Sequence, residues 1–572
     1  MSELDAPTPQ NDGSPSYPPP AADSQNGPVA NEKGLRFWLI FLAIGIATFV
    51  AALDTSIIST ALPTITADLS SGDLYVWVIN TYLLSSTVSS AIVGQMSNIF
   101  GRRAMTTLAL LIFAAGSAVS GAAQSTGMLL AGRTIQGLGG GAITTLSEVL
   151  VCDMVSLRER GVYAGILGAA WAMAAVVGPL MGGGFTQNVS WRWIFYINLP
   201  ITGAALALIV TLLRVRNPRQ DTSLWHRLRT IDWGGMTLLT LGVTSILLAL
   251  TWAGTMHPWS SWRTIVPIVL GFLGLLAFIA YEASPLVPEP TMPPRLFTNR
   301  TTATLFLMSF IYSMLLFWIC YFLPVYFQAV LGATPSRSAV MLFPIATTTA
   351  PAGIVAGAMM TKTGKYRLWH FGGFALMTVA CGLFTLFDQS TPTGAWTGYQ
   401  ILFGIGTGVV FTTGLPPILA TLAEGDVATG TATWIFMRNF GAIWGTAIPA
   451  AVFNTRADRI AGTIADEEVR ALFVDGGAYQ RATKVFVDGF KGDKALYAVI
   501  ETLYVRSLRE VWQVSIAFSA VGFLLCFLVK EYRLRDDLNT EYGMQMGETV
   551  GLREEGSMEG EGENIEMGEK TA

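Results

Sequence analysis

Asp54 lies within FWLIFLAIGIATFVAALDTSIISTALP, residues 37–63, a run otherwise apolar enough to sit in hydrocarbon. A carboxylate is costly to bury there, and acids inside membrane segments mark ion or proton pathways more often than packing. A second apolar run, 127–150, carries Arg133, with Gln136 three residues on and therefore on the same helical face. An acid and a guanidinium at one depth can neutralise each other as a fixed ion pair. They can also do chemistry, because an acid whose charge depends on how near the guanidinium sits takes up or releases a proton when the two move apart. Arg438, in IFMRNFG, is another buried cation, placed to pair across a bundle or to touch a substrate. Glu148 sits near the end of the Arg133 run, where snorkelling or a loop arginine would suffice to neutralise it.

Other chemistries find no support in the residue types. The three histidines (His226, His257, His370) are scattered, and no two of the four cysteines (Cys152, Cys320, Cys381, Cys526) have metal-ligand spacing. No metal, cofactor or disulfide framework is expected. Gly364-Lys365 lacks the upstream glycine of a P-loop, and GLGGG (137–141) lies inside an apolar run, so neither reads as a nucleotide site. There is no clustered catalytic set, so no enzyme is expected. The basic residues form no stripe with interleaved aromatics, and no nucleic-acid partner follows.

The elements that hold these residues are spans of about 20 apolar residues, the length that crosses a bilayer. They recur at 37–59, 75–97, 104–123, 127–150, 162–184, 193–213, 232–253, 264–282, 302–326, 338–361, 368–387, 394–418, 430–453 and 511–529. The composition agrees, with 572 residues of which 52% are hydrophobic and only 13% charged. The runs are continuous rather than alternating, which predicts helices and not a barrel. The fold class is therefore an all-α integral membrane protein of about fourteen helices. Residues 1–35, rich in Pro, Ser, Asn and Gly, read as a disordered tail without a cleavable signal, and 531–572 as an acidic one.

Short loops fix the expected orientation. One side holds Arg102, Arg103, Arg158, Arg160, Arg214, Arg216, Arg219, Arg227, Arg229, Arg295, Arg300, Lys362, Lys365 and Arg367, with Lys530, Arg533 and Arg535 after the last span. The other side offers only Arg192, Arg263 and Arg337 in its short loops, plus a long loop over 454–510. Both termini are then expected in the cytosol. The sequon Asn188-Val189-Ser190 would face outside as a glycosylation candidate, and Asn299-Arg300-Thr301 would face inside. Asp54 falls eighteen residues after Arg36, about 27 Å along a helix. Arg133 falls a few residues into a helix running inward, so the two share the outer half.

The chain also echoes itself. GQMSNIFGRRA (94–104) after the second span is matched by GAMMTKTGKYR (357–367) after the tenth, and GRTIQGLGGG (132–141) in the fourth by GYQILFGIGTG (398–408) in the twelfth. This predicts two six-helix halves, 36–214 and 301–530, with an inserted helix pair and linker over 215–300. Transporters are often built from such repeats, with substrate bound between them near the midplane.

These motifs resemble the major facilitator superfamily, and within it the fourteen-helix drug:proton antiporter branch with its fungal members. LDTSIISTALPTI resembles the first-helix signature of that branch. GQMSNIFGRR resembles the cytoplasmic-loop motif, AGRTIQGLGGG the fourth-helix motif and GPLMGGGF the fifth-helix antiporter motif; SWRWIFYINLP and YFLPVYFQAVLGATP add branch-specific matches. The resemblance implies proton coupling through Arg133 beside Asp54, and an inner gate built from Gly101, Arg102 and Arg103. An aspartate is usual where Asn98 stands, so a looser inner gate is expected unless another carboxylate substitutes. Gly178, Pro179 and Gly182 of the fifth helix combine a kink with close packing, which suits a gate as well as plain packing. The resemblance also implies a cavity lined by the first, fourth, ninth and twelfth helices, with Gln136, Tyr312, Trp318, Tyr399, Gln400 and Arg438 as candidates. The expected function is proton-driven efflux of lipophilic or amphipathic compounds such as antifungals or fungal metabolites, by a plasma-membrane monomer whose partners are that substrate, protons and the bilayer. Import of a siderophore or other solute, or vacuolar amino-acid transport, is the alternative.

Overall fold

The computed structural model describes residues 34–69, 75–214, 223–253, 257–474 and 476–534. The expected disordered tails therefore lie outside the described residues, apart from 34–35 and 531–534. Fourteen long helices appear among the described residues: α1 Leu35–Asp68, α2 Tyr75–Phe100, α3 Arg102–Gly121, α4 Thr126–Met154, α5 Arg160–Asn188, α6 Asn198–Leu212, α7 Trp233–Trp252, α8 Trp262–Glu282, α9 Arg300–Val325, α10 Phe343–Thr363, α11 Arg367–Phe384, α12 Thr393–Ala420, α13 Val427–Ala461 and α14 Lys494–Leu525. In lipid the backbone must satisfy its own polar groups, which helices do within each segment. Side chains close the starts of several helices: Ser125 accepts from Met128 N at 3.3 Å, and Asn299 accepts from Thr301 N at 2.9 Å.

Eleven stretches are long and apolar enough to cross a membrane, and the chain is a multi-pass membrane protein. The criterion passes over α2, α11 and α13. In α2 and α13 the reason is visible, because their polar residues face each other inside the bundle: Asn439 donates to Ser90 Oγ at 3.3 Å and Asn98 to Thr429 Oγ1 at 3.5 Å. The opposite case is α8, whose Ile265, Val269, Leu270, Leu273, Leu276 and Ile279 are all exposed, as suits a lipid-facing helix. Stretch 454–510 is mostly helical. α13 continues to Ala461, and α14 starts at Lys494, where Asp493 accepts from the N–H groups of Ala495 and Leu496. The intervening short helices are pinned by aromatic packing of the buried Phe473 against Phe486, Phe490 and Tyr504.

The internal echo is a structural repeat. A Cβ added at Gly137 of α4 would lie 2.1 Å from Ser85 Oγ of α2; one added at Gly404 of α12 would lie 2.1 Å from Thr348 Oγ1 of α10. One turn on, Gly141 meets the Ser86 carbonyl oxygen at 2.2 Å, and Gly408 meets that of Thr349 at 2.1 Å. Both turns after α2 and α10 carry glycine at positive φ, Gly101 at 90° and Gly364 at 67°, a conformation side chains with a Cβ avoid. The inserted pair α7–α8 packs on itself through Gly242 and Gly271 and against α2 through Leu239 and Val243.

The halves meet by the same symmetry. Gly94 of α2 rests on α13, where an added Cβ would stand 2.4 Å from Ala432 Cβ and 3.1 Å from the Ala428 oxygen. Gly357 of α10 rests on α5, where an added Cβ would stand 2.6 Å from the Gly161 carbonyl carbon. Both crossings lie at the end of the bundle that carries Arg102, Arg103, Arg158 and Lys362, called the basic end below.

Candidate functional site

Asp54 is wholly buried in α1, and three donors from α4 and α6 converge on its carboxylate. Arg133 Nη1 of α4 donates to Oδ2 at 2.5 Å, Gln136 Nε2 donates to Oδ1 at 2.6 Å, and Asn198 Nδ2 of α6 donates to Oδ1 at 2.9 Å. Arg133 is held in turn: Nη1 also reaches Gln136 Oε1 at 2.8 Å, Nε donates to the Val78 oxygen at 3.1 Å, and the guanidinium carbon lies 4.5 Å from the centre of the Tyr82 ring. Gln136 Nε2 also reaches Ser117 Oγ of α3 at 2.8 Å. Burying two charges is costly, and only good geometry with further hydrogen bonds offsets that cost. Here Asp54 has three donors and Arg133 an acid, an amide, a carbonyl and a ring face. The one buried atom of the cluster left without a partner among the described residues is Asn198 Oδ1. The structure thus brings Asp54, Arg133 and Gln136 together as the sequence suggested, and adds Asn198 and Ser117.

A second polar cluster sits at the basic end. Arg102 opens α3 and is buried; its Nη1 donates to Asn98 Oδ1 at 2.7 Å and Ser97 Oγ at 2.8 Å, while its Nε donates to Asp153 Oδ2 at 2.9 Å. Asp153, near the end of α4, thus supplies Arg102 with a carboxylate, which Asn98 cannot. Arg103 turns the other way and donates to the Val210 oxygen of α6. Between the halves, Arg158 donates to the backbone oxygens of Thr361 and Lys362, and Thr361 Oγ1 returns a bond to the Arg158 oxygen at 2.9 Å. Arg295 grips Asp426 with two bonds of 2.9 and 2.7 Å.

The remaining candidates are spread out. A Cβ at Gly178 would meet Ser56 Oγ at 2.5 Å, so α5 is pressed on α1 at the far end; α5 runs on through Pro179, and Gly182 is buried. Asn188 is exposed as the last residue of α5, with its amide on the Gly184 oxygen at 2.9 Å. Tyr312 of α9 is buried with its ring 6.5 Å from that of Phe411. The Arg438 guanidinium lies 4.6 Å from the centre of that same Phe411 ring. Trp318 instead packs on Phe518 of α14, 5.8 Å between centres, and Tyr399 stacks on Phe387 at 5.8 Å. Gln400 is wholly buried, its Nε2 on the Trp396 oxygen at 3.2 Å.

Residues 44–446 match the Major Facilitator Superfamily. The Acurin A biosynthesis cluster MFS-type transporter of Aspergillus aculeatus is 80% identical over 92% of this chain and 95% of its own length. The chain belongs to the major facilitator superfamily. Two further relatives of this facilitator are 58% identical: the MFS-type efflux pump LUC4 of a Fusarium species, over 94% of each chain, and the efflux pump FUS6 of Gibberella fujikuroi, over 92% of this chain and 95% of its own. Among solved structures, the human organic anion transporter MFSD10 aligns with a TM-score of 0.56 over 86% of this chain and 99% of its own, at 14% identity. The proton:xylose symporter XylE does so at 0.51 over 83% and 95%, at 13% identity. At such identities the likeness speaks for the fold alone.

The repeat shows what stands in the second half at the place of Arg133. Arg133 stands four residues before Gly137, and Gln400 four before Gly404, so Gln400 fills the place of Arg133 in the second half. Its Oε1 has no partner among the described residues, and no acid joins it. Sequence reasoning missed Asn198 and Asp153. Asn198 stood inside the quoted SWRWIFYINLP stretch, but as a neutral amide it gave no charge signal. Asp153 sits where α4 meets a loop and reads as an ordinary solvated acid until Arg102 is seen beside it.

Proposed function

We propose that this facilitator exports lipophilic or amphipathic compounds, such as antifungal drugs or fungal secondary metabolites and toxins, in exchange for protons. The observation that carries the reading is the buried Asp54–Arg133–Gln136–Asn198 network linking α1, α4 and α6. Its relatives, two named efflux pumps and a biosynthesis-cluster transporter, support the direction and the substrate class. The loop arginines support an orientation with the basic end and both termini in the cytosol, and we read the chain as a plasma-membrane monomer. The glycine crossings and the Arg158 bonds to α10 then close the cytosolic side, as in an outward-facing state.

In the ionised state Asp54 accepts from all three neighbours. A proton arriving from outside turns one carboxylate oxygen into a donor and releases Arg133 from its counter-charge. Asn198 can answer by rotating its amide, because its carbonyl oxygen is the buried acceptor that lacks a donor. The network then holds α1, α4 and α6 less tightly, which favours rearrangement toward the inward-facing state. Substrate binds there, the proton leaves to the cytosol, and the pair re-forms. One proton crossing 100 mV supplies about 2.3 kcal/mol, and one pH unit adds about 1.4 kcal/mol. Together these sustain a gradient of several hundredfold, roughly, for a neutral substrate.

Proteoliposomes with an imposed pH gradient test the reading. Exchange predicts that substrate accumulates when the lumen is acid. Accumulation only when the outside is acid would instead show the import alternative.

A further inference from the structure

Between the halves, α13 presents buried hydrogen-bond donors that no described residue satisfies. The Arg438 guanidinium carbon lies 4.6 Å from the ring centres of both Phe411, on α12, and Trp434, one turn earlier on α13. The two rings are 6.1 Å apart, and Tyr312 of α9 extends the aromatic wall. Rings that cover a guanidinium's faces leave its in-plane N–H groups for recognition. Arg438 Nε is buried without a partner, and so is Trp434 Nε1 on a side chain only 1% exposed. Buried donors are nearly always paired, so adjacent unpaired ones require an explanation. Opposite them, Glu148 of α4 is 6% exposed. It interacts electrostatically with Arg438, yet no ion pair within 4.0 Å and no hydrogen bond joins Glu148 to any described residue. A ligand head that touches both would join this acid and this base, which do not touch each other.

We propose that Arg438 and Trp434 form the head-group site of the transport cavity, and that it takes amphipathic molecules whose flat, conjugated body carries an sp² acceptor oxygen, that of a carbonyl or a carboxylate. The body lies on the Phe411–Tyr312 wall, and the oxygen accepts from Arg438 and Trp434. Glu148 faces the same head from the other half. It tunes the site against a negative head and bridges the halves through the ligand. The Glu148–Arg438 interface is thus distinct from the Asp54 cluster, fifteen residues away along α4. The inference deepens the export reading and rests on it for the cavity's use.

The test is calorimetric binding of four naphthalene probes to the full chain in nanodiscs, with empty nanodiscs subtracted: 1-naphthylacetamide, 1-naphthylacetate, 1-ethylnaphthalene and 1-(2-aminoethyl)naphthalene. The amide and the acid should bind about tenfold or more tighter than the other two, the size of one hydrogen bond to a charged group. Arg438→Gln should erase that preference. Trp434→Phe, which keeps a ring and removes only the donor, should reduce it severalfold and guards against a folding defect at Arg438. Glu148→Gln should strengthen the acid relative to the amide, separating the two kinds of acceptor. Equal affinity for all four heads, no binding of any, or a preference untouched in both Arg438→Gln and Trp434→Phe would overturn the proposal. If the head preference holds while acid-lumen vesicles accumulate no substrate, the export reading fails and the site stands. If efflux is robust and the preference absent, the reverse is true.

Discussion

Gly94→Val should force the basic end of the bundle open. In the structure a Cβ at this position would sit 2.4 Å from Ala432 Cβ and 3.1 Å from the Ala428 oxygen, across the boundary between the halves. Neither neighbour is the far end of a flexible side chain, so only movement of α2 away from α13 relieves the clash. Overpacking of this kind costs about 1–3 kcal/mol, and here the cost falls on the closed arrangement alone. At about 1.4 kcal/mol per decade the ratio of closed to open should drop roughly 5- to 150-fold. The symmetric position Gly357, whose Cβ would lie 2.6 Å from Gly161 backbone atoms, should respond alike when changed to Val. Gly372→Val is the control, because nothing lies within 4 Å of its Cβ. Spin labels on the exposed positions Leu108 and Leu368, one per half, would read the separation by electron–electron resonance in a chain whose native cysteines are replaced. The expected outcome is a longer basic-end distance for Gly94→Val and Gly357→Val and an unchanged one for Gly372→Val. Distances in Gly94→Val that match the control would refute the idea that these crossings hold the closed state.

Other outcomes follow from the same contacts. Asp54→Asn and Arg133→Gln should each lower stability in micelles by about 3–5 kcal/mol, since each strands a buried charge. The double variant should cost less than the sum by about 1–3 kcal/mol, measured by denaturant unfolding, and strict additivity would contradict the pairing. Asp153→Asn should increase basic-end opening more than Asn98→Ala, because it removes the carboxylate to which Arg102 Nε donates at 2.9 Å; the same spin-label pair reads this. Asn98→Asp, which adds a second acid 2.7 Å from Arg102 Nη1, should slow inward opening, with indistinguishable gating rates as the contrary result. Asn198→Ala should reduce gradient-driven transport while sparing substrate binding, and a loss of binding instead would move Asn198 into the substrate site.

The architecture was legible because its signal is coarse. Continuous apolar runs and the echo between 94–104 and 357–367 were enough to place every long helix and the repeat. Helix ends were harder. The start of α14 at Lys494 lies in an amphipathic stretch whose apolar face packs on protein, not lipid, so hydropathy alone began the span at 511. At the site, charge made Asp54 and Arg133 visible, and helical spacing added Gln136. Partners brought in by tertiary packing were not visible: Asn198 arrives from α6, and Asp153 reaches Arg102 from 51 positions away. Aromatic candidates divided by facing. Tyr312 packs beside Phe411, the ring that Arg438 covers, whereas Trp318 packs against Phe518 of α14, a distinction that residue type cannot carry.

The most direct test of proton coupling through Asp54 uses acid-lumen proteoliposomes and two readouts on one variant. With Asp54→Asn the account predicts that gradient-driven accumulation disappears while substrate-for-substrate exchange without a gradient persists, and the Asp54→Asn/Arg133→Gln pair should behave likewise if folding is the concern. Accumulation by Asp54→Asn equal to that of the natural chain would contradict it.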